Sequence, residues 1–273
     1  MMRRICLLLI AATLMPAAVV ASTTCSSPEA CVAAVVRGED PRVGATLERI
    51  PGMGAKLLAL RSYLLAGAAL AQRWSWSQAQ IEAFAGSEHQ RQLNAAISAV
   101  RGAFEQANPG YTLSVSPQVR SLDRQLQAWN ANRSVAAAAD EFEMAASRAI
   151  QAAASAGHSG ITPADFTRFL REHKPQPSPN LAAPGLSRHG QMDAVDFHVL
   201  AGSAPVADTD SATIRTVWIG QGWEQKLLAA VRSAGAPFAG PLQDPHEPWH
   251  YDYVAEASAA RGPHPRSESR PEP

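Results

Sequence analysis

The sequence has no excess of charge of either sign. Its 273 residues include 24 Lys and Arg against 24 Asp and Glu. This balance gives no basic surface, so recognition of nucleic acid is not expected. No internal repeat is apparent, and the length suits one large domain or a domain with a substantial extension. A hydrophobic share of 46% is enough for a core, which excludes a chain that is disordered throughout.

The apolar run at the N-terminus is short for a membrane span. Arg3 and Arg4 precede an apolar stretch over residues 5–20, which Pro16 interrupts, and a small-residue cleavage site follows. This pattern predicts a signal peptide over residues 1–21 and export from the cytoplasm. An uncleaved anchor is the alternative. After cleavage we expect no stable membrane span.

Cysteine is scarce, and its placement agrees with export. Cys6 lies within the predicted signal peptide, so Cys25 and Cys31 remain as a pair. In an oxidising compartment two such cysteines usually bridge, and we predict a Cys25–Cys31 disulfide. The alternative is a catalytic or zinc-binding cysteine pair, although no His or further Cys lies close by in the sequence.

The order of predicted elements favours an α+β fold, with helices first and strands afterwards. Helical spacing or Ala-rich composition predicts helices over residues 53–74, 93–104, 122–129, 134–156, 164–172 and 223–233. Alternating or β-rich runs predict strands over residues 111–115, 194–200, 214–219 and 246–254. The composition of residues 256–273 predicts a disordered tail.

Two short stretches supply the parts of one candidate zinc site. His189 and Asp196 lie seven positions apart, and Glu247 precedes His250 by three. Two imidazoles and a carboxylate form a hydrolytic zinc set, because three protein ligands leave the fourth tetrahedral position for water. Glu247 would then lie beside that water, where a general base is needed. A metallo-hydrolase is therefore the leading interpretation.

These residues resemble the zinc D-alanyl-D-alanine peptidases of bacterial cell walls, which share a fold with the Hedgehog signalling domain. The family pattern of Ser-x-His, Ala and Asp, then Glu-x-Trp-His, is matched by Ser187, His189, Ala194, Asp196, Glu247, Trp249 and His250. Met192 stands where the family usually has Gly, so we expect a differently built turn before Asp196. Val119-Arg120-Ser121 with Gln125 is similar to the family segment Tyr-Arg-Ser-x-x-x-Gln, with departures at residues 117–119.

The resemblance covers roughly residues 90–255 and implies a Hedgehog/DD-peptidase-like fold with a small antiparallel sheet and surrounding helices. That stretch would be the zinc peptidase domain, and residues 22–89 would be a helical N-terminal extension. The implied cofactor is Zn²⁺, and the implied substrates are peptidoglycan peptides. The implied location is the periplasm or the exterior of a bacterium.

The resemblance also implies a role for each matched residue. The zinc ligands would be His189, Asp196 and His250, and Glu247 would pass a proton from water to the leaving amine. Arg120 would stabilise the charged oxygen of the transition state or hold the substrate, with a structural Arg at a helix start as the alternative. The substrate would also contact Ser187, Gln125 and Trp249.

Several alternatives stay open at the level of sequence. His198 shares the strand face of Asp196, and His246 is close to His250, so each is a competing ligand that we expect instead to support the site or the fold. The bond cleaved can be that of a carboxypeptidase or of an endopeptidase. A non-catalytic, zinc-containing wall-binding module is the main competing function, and a hydrolase of another exported amide is the third.

Overall fold

The computed structural model describes residues 24–115 and 119–254. These residues are 58% helical and 13% strand, with a curled antiparallel sheet, so the predicted α+β class is confirmed. The predicted signal peptide (1–21) and the predicted tail (256–273) lie outside the described residues.

Helices precede most of the sheet, as the sequence predicts. They are α1 (Pro28–Val36), α2 (Pro41–Glu48), α3 (Met53–Ala66), α4 (Leu70–Arg73), α5 (Gln78–Phe84), α6 (Glu88–Ala107), α7 (Leu122–Ala131), α8 (Arg133–Ser155), α9 (Pro163–Glu172) and α10 (Trp223–Ala234). Capping side chains fix several starts, because they accept hydrogen bonds from N–H groups that the helix leaves free. Ser27 caps α1, Ser121 caps α7 and Thr162 caps α9.

The long helices α3 and α8 pack against each other at the centre of the helical layer. At Gly54 the two backbones approach so closely that a Cβ atom would overlap the carbonyl group of Ala139. The N–H of Gly54 donates to the carboxylate of Glu143 on α8 over 2.8 Å. Glycine is therefore required here by packing between helices.

Cys25 and Cys31 pair at the edge of this layer. Their Cα atoms are 5.1 Å apart, and both side chains are buried, so the predicted disulfide is confirmed. Cys25 also pairs with Ile161 in an isolated antiparallel bridge, which connects the start of the described chain to the segment just before α9.

The strands are β1 (Tyr111–Val115), β2 (Ala194–Ala201), β3 (Ala204–Ala207), β4 (Phe238–Ala239), β5 (Leu242–Gln243), β6 (His246–Glu247) and β7 (His250–Tyr253). The main sheet has the order β1-β2-β7-β4, and β3 also pairs with β2. All of its pairings are antiparallel. The short strands β5 and β6 form a separate hairpin immediately before β7.

The two faces of the main sheet differ in polarity because side chains alternate along a strand. Val195 and Phe197 on β2, with Tyr251 on β7, are buried in the core beneath the sheet. Asp196 and His250 alternate with them and lie directly opposite each other in the β2–β7 register. The sheet thus presents a polar face at the centre of its β2–β7 ladder.

Apolar side chains form two separate clusters. The first contains residues of α1–α4 and α7–α9, and the second contains residues of the sheet, α6 and α10. The segment 74–76 joins them, because Trp74 belongs to the first cluster and Trp76 packs against the second. This segment also runs beside the turn that carries His189.

One helical segment, Met53–Arg73, is long and apolar enough to cross a membrane by length and composition. Half of this apolar stretch is buried within the protein, where α3 packs against α8. A buried core helix passes the same test of length and composition, so the segment is weak evidence for a membrane span.

Two strand predictions were wrong in detail. Residues 214–219 form a π-helical turn, in which Trp218 is fully buried and its indole N–H donates to the carbonyl of Asp208 over 2.7 Å. Burial of this one large side chain outweighs the β-branched composition of the run. The predicted final strand is interrupted at Pro248 and Trp249, which separate β6 from β7.

Candidate metal centre

His189, Asp196 and His250 converge on the polar face of the sheet. Nδ1 of His250 lies 3.1 Å from Oδ1 of Asp196, and Nε2 of His189 lies 3.3 Å from each of these two atoms. All three candidate ligand atoms are within 4.8 Å of one another. Among the described residues this is the group of His, Cys, Asp and Glu side chains that is able to hold a metal ion.

The strands position two of these side chains and a tight turn positions the third. His189 lies in the 3₁₀ turn Arg188–Gly190, whose backbone is held from both sides. The carbonyl of His189 accepts from the N–H of Arg120 over 2.9 Å. The carbonyl of Gly190 accepts from the N–H of Trp76, also over 2.9 Å. A Cβ atom at Gly190 would overlap Ser75 Oγ, so glycine is required for this close approach.

The turn between His189 and Asp196 has an unusual backbone at Met192. Its φ is +54°, the one positive value at a non-glycine residue in the described ranges, and its side chain is buried. This left-handed conformation favours glycine and is uncommon for a residue with a side chain, so Met192 combines an unusual backbone with a buried side chain.

Burial and hydrogen bonds set the charge states of the cluster. Burial acts to raise the pKa of Asp196, but hydrogen bonds from both histidines outweigh it and hold the pKa well below its usual range. Burial lowers the pKa of His189. Burial also acts to lower the pKa of His250, yet hydrogen bonds to Asp196 and Asp252 raise it to about 9. In the metal-free protein these shifts favour a proton on His250 and the neutral form of His189.

The donor set fits a divalent ion that accepts imidazole and carboxylate ligands, of which zinc is a common example. His250 offers Nδ1 to the cluster, while its Nε2 lies 3.3 Å from Oδ1 of Asp252. In metal sites a carboxylate on the far nitrogen fixes the orientation of a ligating imidazole. Metal binding would displace the proton that His250 holds in the metal-free state.

Asp252 was not among the predicted site residues. It follows His250 by two positions, so strand alternation places both on one face, which is the signal that sequence reasoning could have used. Asp252 Oδ1 also forms an ion pair with Arg188, at 2.6 Å from its Nε. The geometry of this contact is not that of a hydrogen bond from Nε. Arg188 donates through Nη2 to the carbonyl of Asp193 over 3.3 Å.

Glu247 lies beside the cluster, on β6. Its Oε2 is 3.7 Å from Nδ1 of His250. Burial raises the pKa of Glu247, and the carboxylate of Asp196 adds to that effect, while the positive charges of His250 and Arg120 oppose it. The carboxyl group therefore holds a proton more readily than an exposed glutamate.

Arg120 reaches the same cluster from the start of α7. Its Nη2 donates to Oδ2 of Asp196 over 3.2 Å, and 39% of its side chain is exposed. The guanidinium thus borders both the candidate ligands and solvent. This position agrees with a role at the site, while the choice between oxyanion stabilisation and substrate binding stays a prediction.

Both the nitrogen and the oxygen of the Gln125 side-chain amide form hydrogen bonds within the protein. Its Nε2 donates to Ser75 Oγ over 2.8 Å and to the Arg120 carbonyl over 2.6 Å. Its Oε1 accepts from the N–H of Gly185 over 2.9 Å and from that of Ser187 over 3.4 Å. Gln125 thereby joins three segments that surround the turn of His189, and its predicted contact with substrate stays a prediction.

The remaining predicted residues lie at different depths. Ser187 is half-buried directly before the turn of His189. Trp249 is buried in the second apolar cluster against Trp218, with ring centroids 5.9 Å apart. His198 lies opposite Ser114 on β1 and outside the metal-binding group. His246 also lies outside that group, with Nε2 3.1 Å from a carboxylate oxygen of Glu224.

No protein-family model, curated protein or solved structure matches the chain. The candidate site is therefore defined by its own geometry. That geometry is two imidazoles and a carboxylate able to hold a metal ion, with a second carboxyl group and a guanidinium at their edge.

Proposed function

We propose that the protein is an exported zinc-dependent peptidase with a Hedgehog/DD-peptidase-like fold that hydrolyses D-alanyl-type bonds in peptidoglycan peptides. One observation carries the proposal: Glu247 and Arg120, far apart in sequence, both contact the cluster of His189, Asp196 and His250. A binding module needs a metal site but has no need of a protonatable carboxyl group beside it. The Cys25–Cys31 pair gives additional support to export, because disulfides persist in oxidising compartments.

His189, Asp196 and His250 would hold the zinc ion. When bound, zinc supplies a Lewis acid that polarises a carbonyl group and makes water more acidic. The three side chains come from a turn and two paired strands, so the fold holds them close together before any ligand is present. Asp252 orients His250 from the outer side of its ring.

Glu247 would move the proton in hydrolysis. Its Oε2 would accept a proton from the attacking water and then donate it to the nitrogen of the leaving amine. The raised pKa of Glu247 favours holding that proton between the two steps.

Arg120 would meet negative charge on the substrate. A guanidinium stays charged at every relevant pH and presents a planar fork of donors. Its contact with Asp196 fixes one edge, and its exposed part remains available for an oxyanion or a substrate carboxylate. A carboxypeptidase would use that charge for the free carboxylate of its substrate, whereas an endopeptidase would use it for the oxyanion.

The test is to replace Glu247 by Gln, which keeps size and shape but cannot accept the proton. We expect release of D-alanine or cross-linked fragments from peptidoglycan to fall on the order of 10²–10⁴-fold. Zinc content per chain should be unchanged, because Glu247 is not a ligand. The matched control is Glu29→Gln on α1, an exposed position that should leave both quantities unaltered.

Unchanged hydrolysis in Glu247→Gln would remove Glu247 from the mechanism. A wild-type protein that binds zinc but releases nothing from any wall substrate would favour the non-catalytic binding module. Mass analysis of the released fragments would also separate the two peptidase types, since a carboxypeptidase releases single terminal residues.

A further inference from the structure

A pocket on the helical side of the molecule lies between α3 and the proline-rich loop that follows α9. Its volume is about 350 Å³, which is within the range of small-molecule sites. Two arginines line it, Arg61 on α3 and Arg73 at the end of α4. The large apolar side chains that line it are Leu58, Leu65, Leu181 and Leu186. We call it the arginine pocket, and none of the candidate metal ligands lines it.

The positive charges of the arginine pocket have no negative partner within the described residues. No aspartate or glutamate is among the residues that line it. Neither Arg61 nor Arg73 forms an ion pair with a carboxylate in the described ranges. Arg61 donates through Nε to the carbonyl of His173 over 2.9 Å, which fixes the side chain but supplies no net negative charge. The pocket therefore carries two positive charges that the described part of the chain does not neutralise.

Partial burial makes the missing counter-charge matter. Arg61 is half-buried, and burial lowers its pKa. Burial also lowers the pKa of Arg73, and the nearby positive charge of Arg188 lowers it further. Arg73 is an exposed residue, so solvent screens part of these effects. Both guanidinium groups nevertheless stay charged, and an anion between them would offset the cost of their partial desolvation.

The rest of the lining favours a ligand that also has an apolar part. Leu58 and Leu186 are buried in the first apolar cluster, and Leu181 packs against that cluster. Leu65 differs from them, because 52% of it is exposed. A single exposed leucine is ordinary on a protein surface, but this one borders a pocket that three further leucines line. A hydrocarbon chain in the pocket would cover Leu65 and extend the apolar cluster.

We infer that the arginine pocket binds an anionic amphiphile, namely a hydrocarbon chain that ends in a carboxylate or a phosphate group. Arg61 and Arg73 would contact the anionic oxygens, because a guanidinium presents a planar fork of donors that matches both groups. The chain would lie against Leu65 and Leu181. Fatty acids and phosphate-bearing lipids share this chemistry. The inference is independent of the proposed peptidase function, since none of the residues assigned to hydrolysis lines the pocket.

The test is calorimetric titration of the full chain with four probes. Octyl phosphate and octanoate each join the hydrocarbon chain to one of the two anionic groups. Octanol has the chain alone, and inorganic phosphate has the anion alone. All are used below the concentrations at which they aggregate. Zinc-free protein is used, so that no anion binds through a metal ion.

Two variants separate the charged part of the arginine pocket from its apolar part. Arg73→Gln removes a positive charge at an exposed position, so the fold should stay intact. Its matched control is Arg215→Gln, at another exposed arginine, which lies outside the pocket. Leu65→Ser removes apolar surface, and its control is Ile219→Ser, at a residue that is 45% exposed and also lies outside the pocket.

We expect saturable binding of octyl phosphate, octanoate or both to the wild type and to the two controls. Arg73→Gln should weaken this binding roughly 3- to 10-fold, as for the loss of one partly screened ionic contact. Leu65→Ser should weaken it about 2- to 5-fold through lost apolar contact. Octanol and inorganic phosphate should each bind about tenfold more weakly or less. Tighter binding of octyl phosphate would indicate a phosphate lipid, and tighter binding of octanoate would indicate a fatty acid.

Several results would overturn the inference. One is that neither octyl phosphate nor octanoate binds saturably to the wild type. Another is that octanol or inorganic phosphate binds as tightly as the amphiphiles, because the ligand would then not need both parts. Equal affinity in the wild type, Arg73→Gln and Leu65→Ser would place the ligand elsewhere. If Arg120→Gln abolishes binding while Arg73→Gln does not, the anion binds at the candidate metal centre instead.

Discussion

At the scale of single residues, His250 is the side chain on which the candidate site depends most. One ring nitrogen faces Asp196 and His189, and the other faces Asp252. Each carboxylate therefore has a separate task. Asp196 is a candidate ligand, and Asp252 fixes the ring so that Nδ1 points toward the cluster.

Replacing Asp252 by Asn should weaken metal binding without removing a ligand. Loss of a carboxylate that orients a ligating histidine typically lowers affinity about 10- to 100-fold. Zinc affinity is measured by competition with a chelator of known strength. The control is Asp140→Asn, at an exposed position on α8, which should bind zinc like the wild type. Wild-type affinity in Asp252→Asn would show that the ring is held by its strand alone.

The stability of the metal-free protein should depend on the protonation of His250. Its pKa is raised from the ordinary value of 6.5 to about 9, so protonated His250 stabilises the folded state. This contribution is fully present below pH ~6.5 and is lost as the pH rises through about 9.

The measurement is urea unfolding of the wild type and of His250→Gln, both with a chelator present. The free energy gap between them should be on the order of 2 kcal/mol near pH 6 and should shrink steadily toward pH 10. A gap that stays constant, or that grows with pH, would contradict the charge state assigned to His250. The raised pKa of His250 also predicts that zinc competes with a bound proton at neutral pH.

At the scale of elements, the helices were predictable because their apolar spacing and end signals agree with their packing. Ser121 is the N-cap of α7 and Asn108 is the C-cap of α6, next to the predicted helices over residues 122–129 and 93–104. The strand over residues 111–115 has the predicted bounds. Residues 214–219 were mispredicted because their composition does not show that Trp218 must be buried between elements distant in sequence.

The break between β6 and β7 explains the spacing of Glu247 and His250 in the Glu-x-Trp-His motif. In one continuous strand, Glu247 and His250 would lie on opposite faces, because their separation of three is odd. The break at Pro248 and Trp249 lets the carboxyl group of Glu247 lie on the same side as the imidazole of His250. The Glu-x-Trp-His pattern therefore named two neighbours of the candidate site, but the three-dimensional reason for its spacing required the structure.

Gly54→Ala should destabilise the protein, although alanine is the better helix former. A new Cβ would overlap the Ala139 carbonyl, and relief would require α3 and α8 to move apart. Overpacking of this kind costs typically 1–3 kcal/mol. The matched control is Gly102→Ala on α6, where a Cβ would meet no atom within 4 Å. That variant should be more stable by roughly 0.5–1 kcal/mol, and equal unfolding free energies in the two variants would contradict the assigned contact.

At the scale of the whole molecule, the helical part and the sheet form a continuous arrangement around the turn of His189. Ser75 donates its N–H to Gly185, and Trp76 donates to Gly190. Gln125 binds Ser75 from the other side and also holds Arg120. The segment that follows α4 thus supports the turn of His189, even though none of the candidate ligands comes from it.

A chain beginning at residue 90 should therefore fail to form the site, although it contains every predicted ligand. It would lack α3, and the apolar faces of α8 and α9 that pack against α3 would be exposed to water. It would also lack Ser75 and Trp76, which leaves the turn of His189 without two of its backbone contacts. We expect rapid proteolysis, no cooperative thermal unfolding and at least a tenfold loss of zinc affinity. The comparison is with a chain beginning at residue 24, which keeps both apolar clusters and should unfold cooperatively. If the shorter chain unfolds cooperatively and binds zinc as the longer one does, the sheet layer is an independent domain and the helices have a separate function.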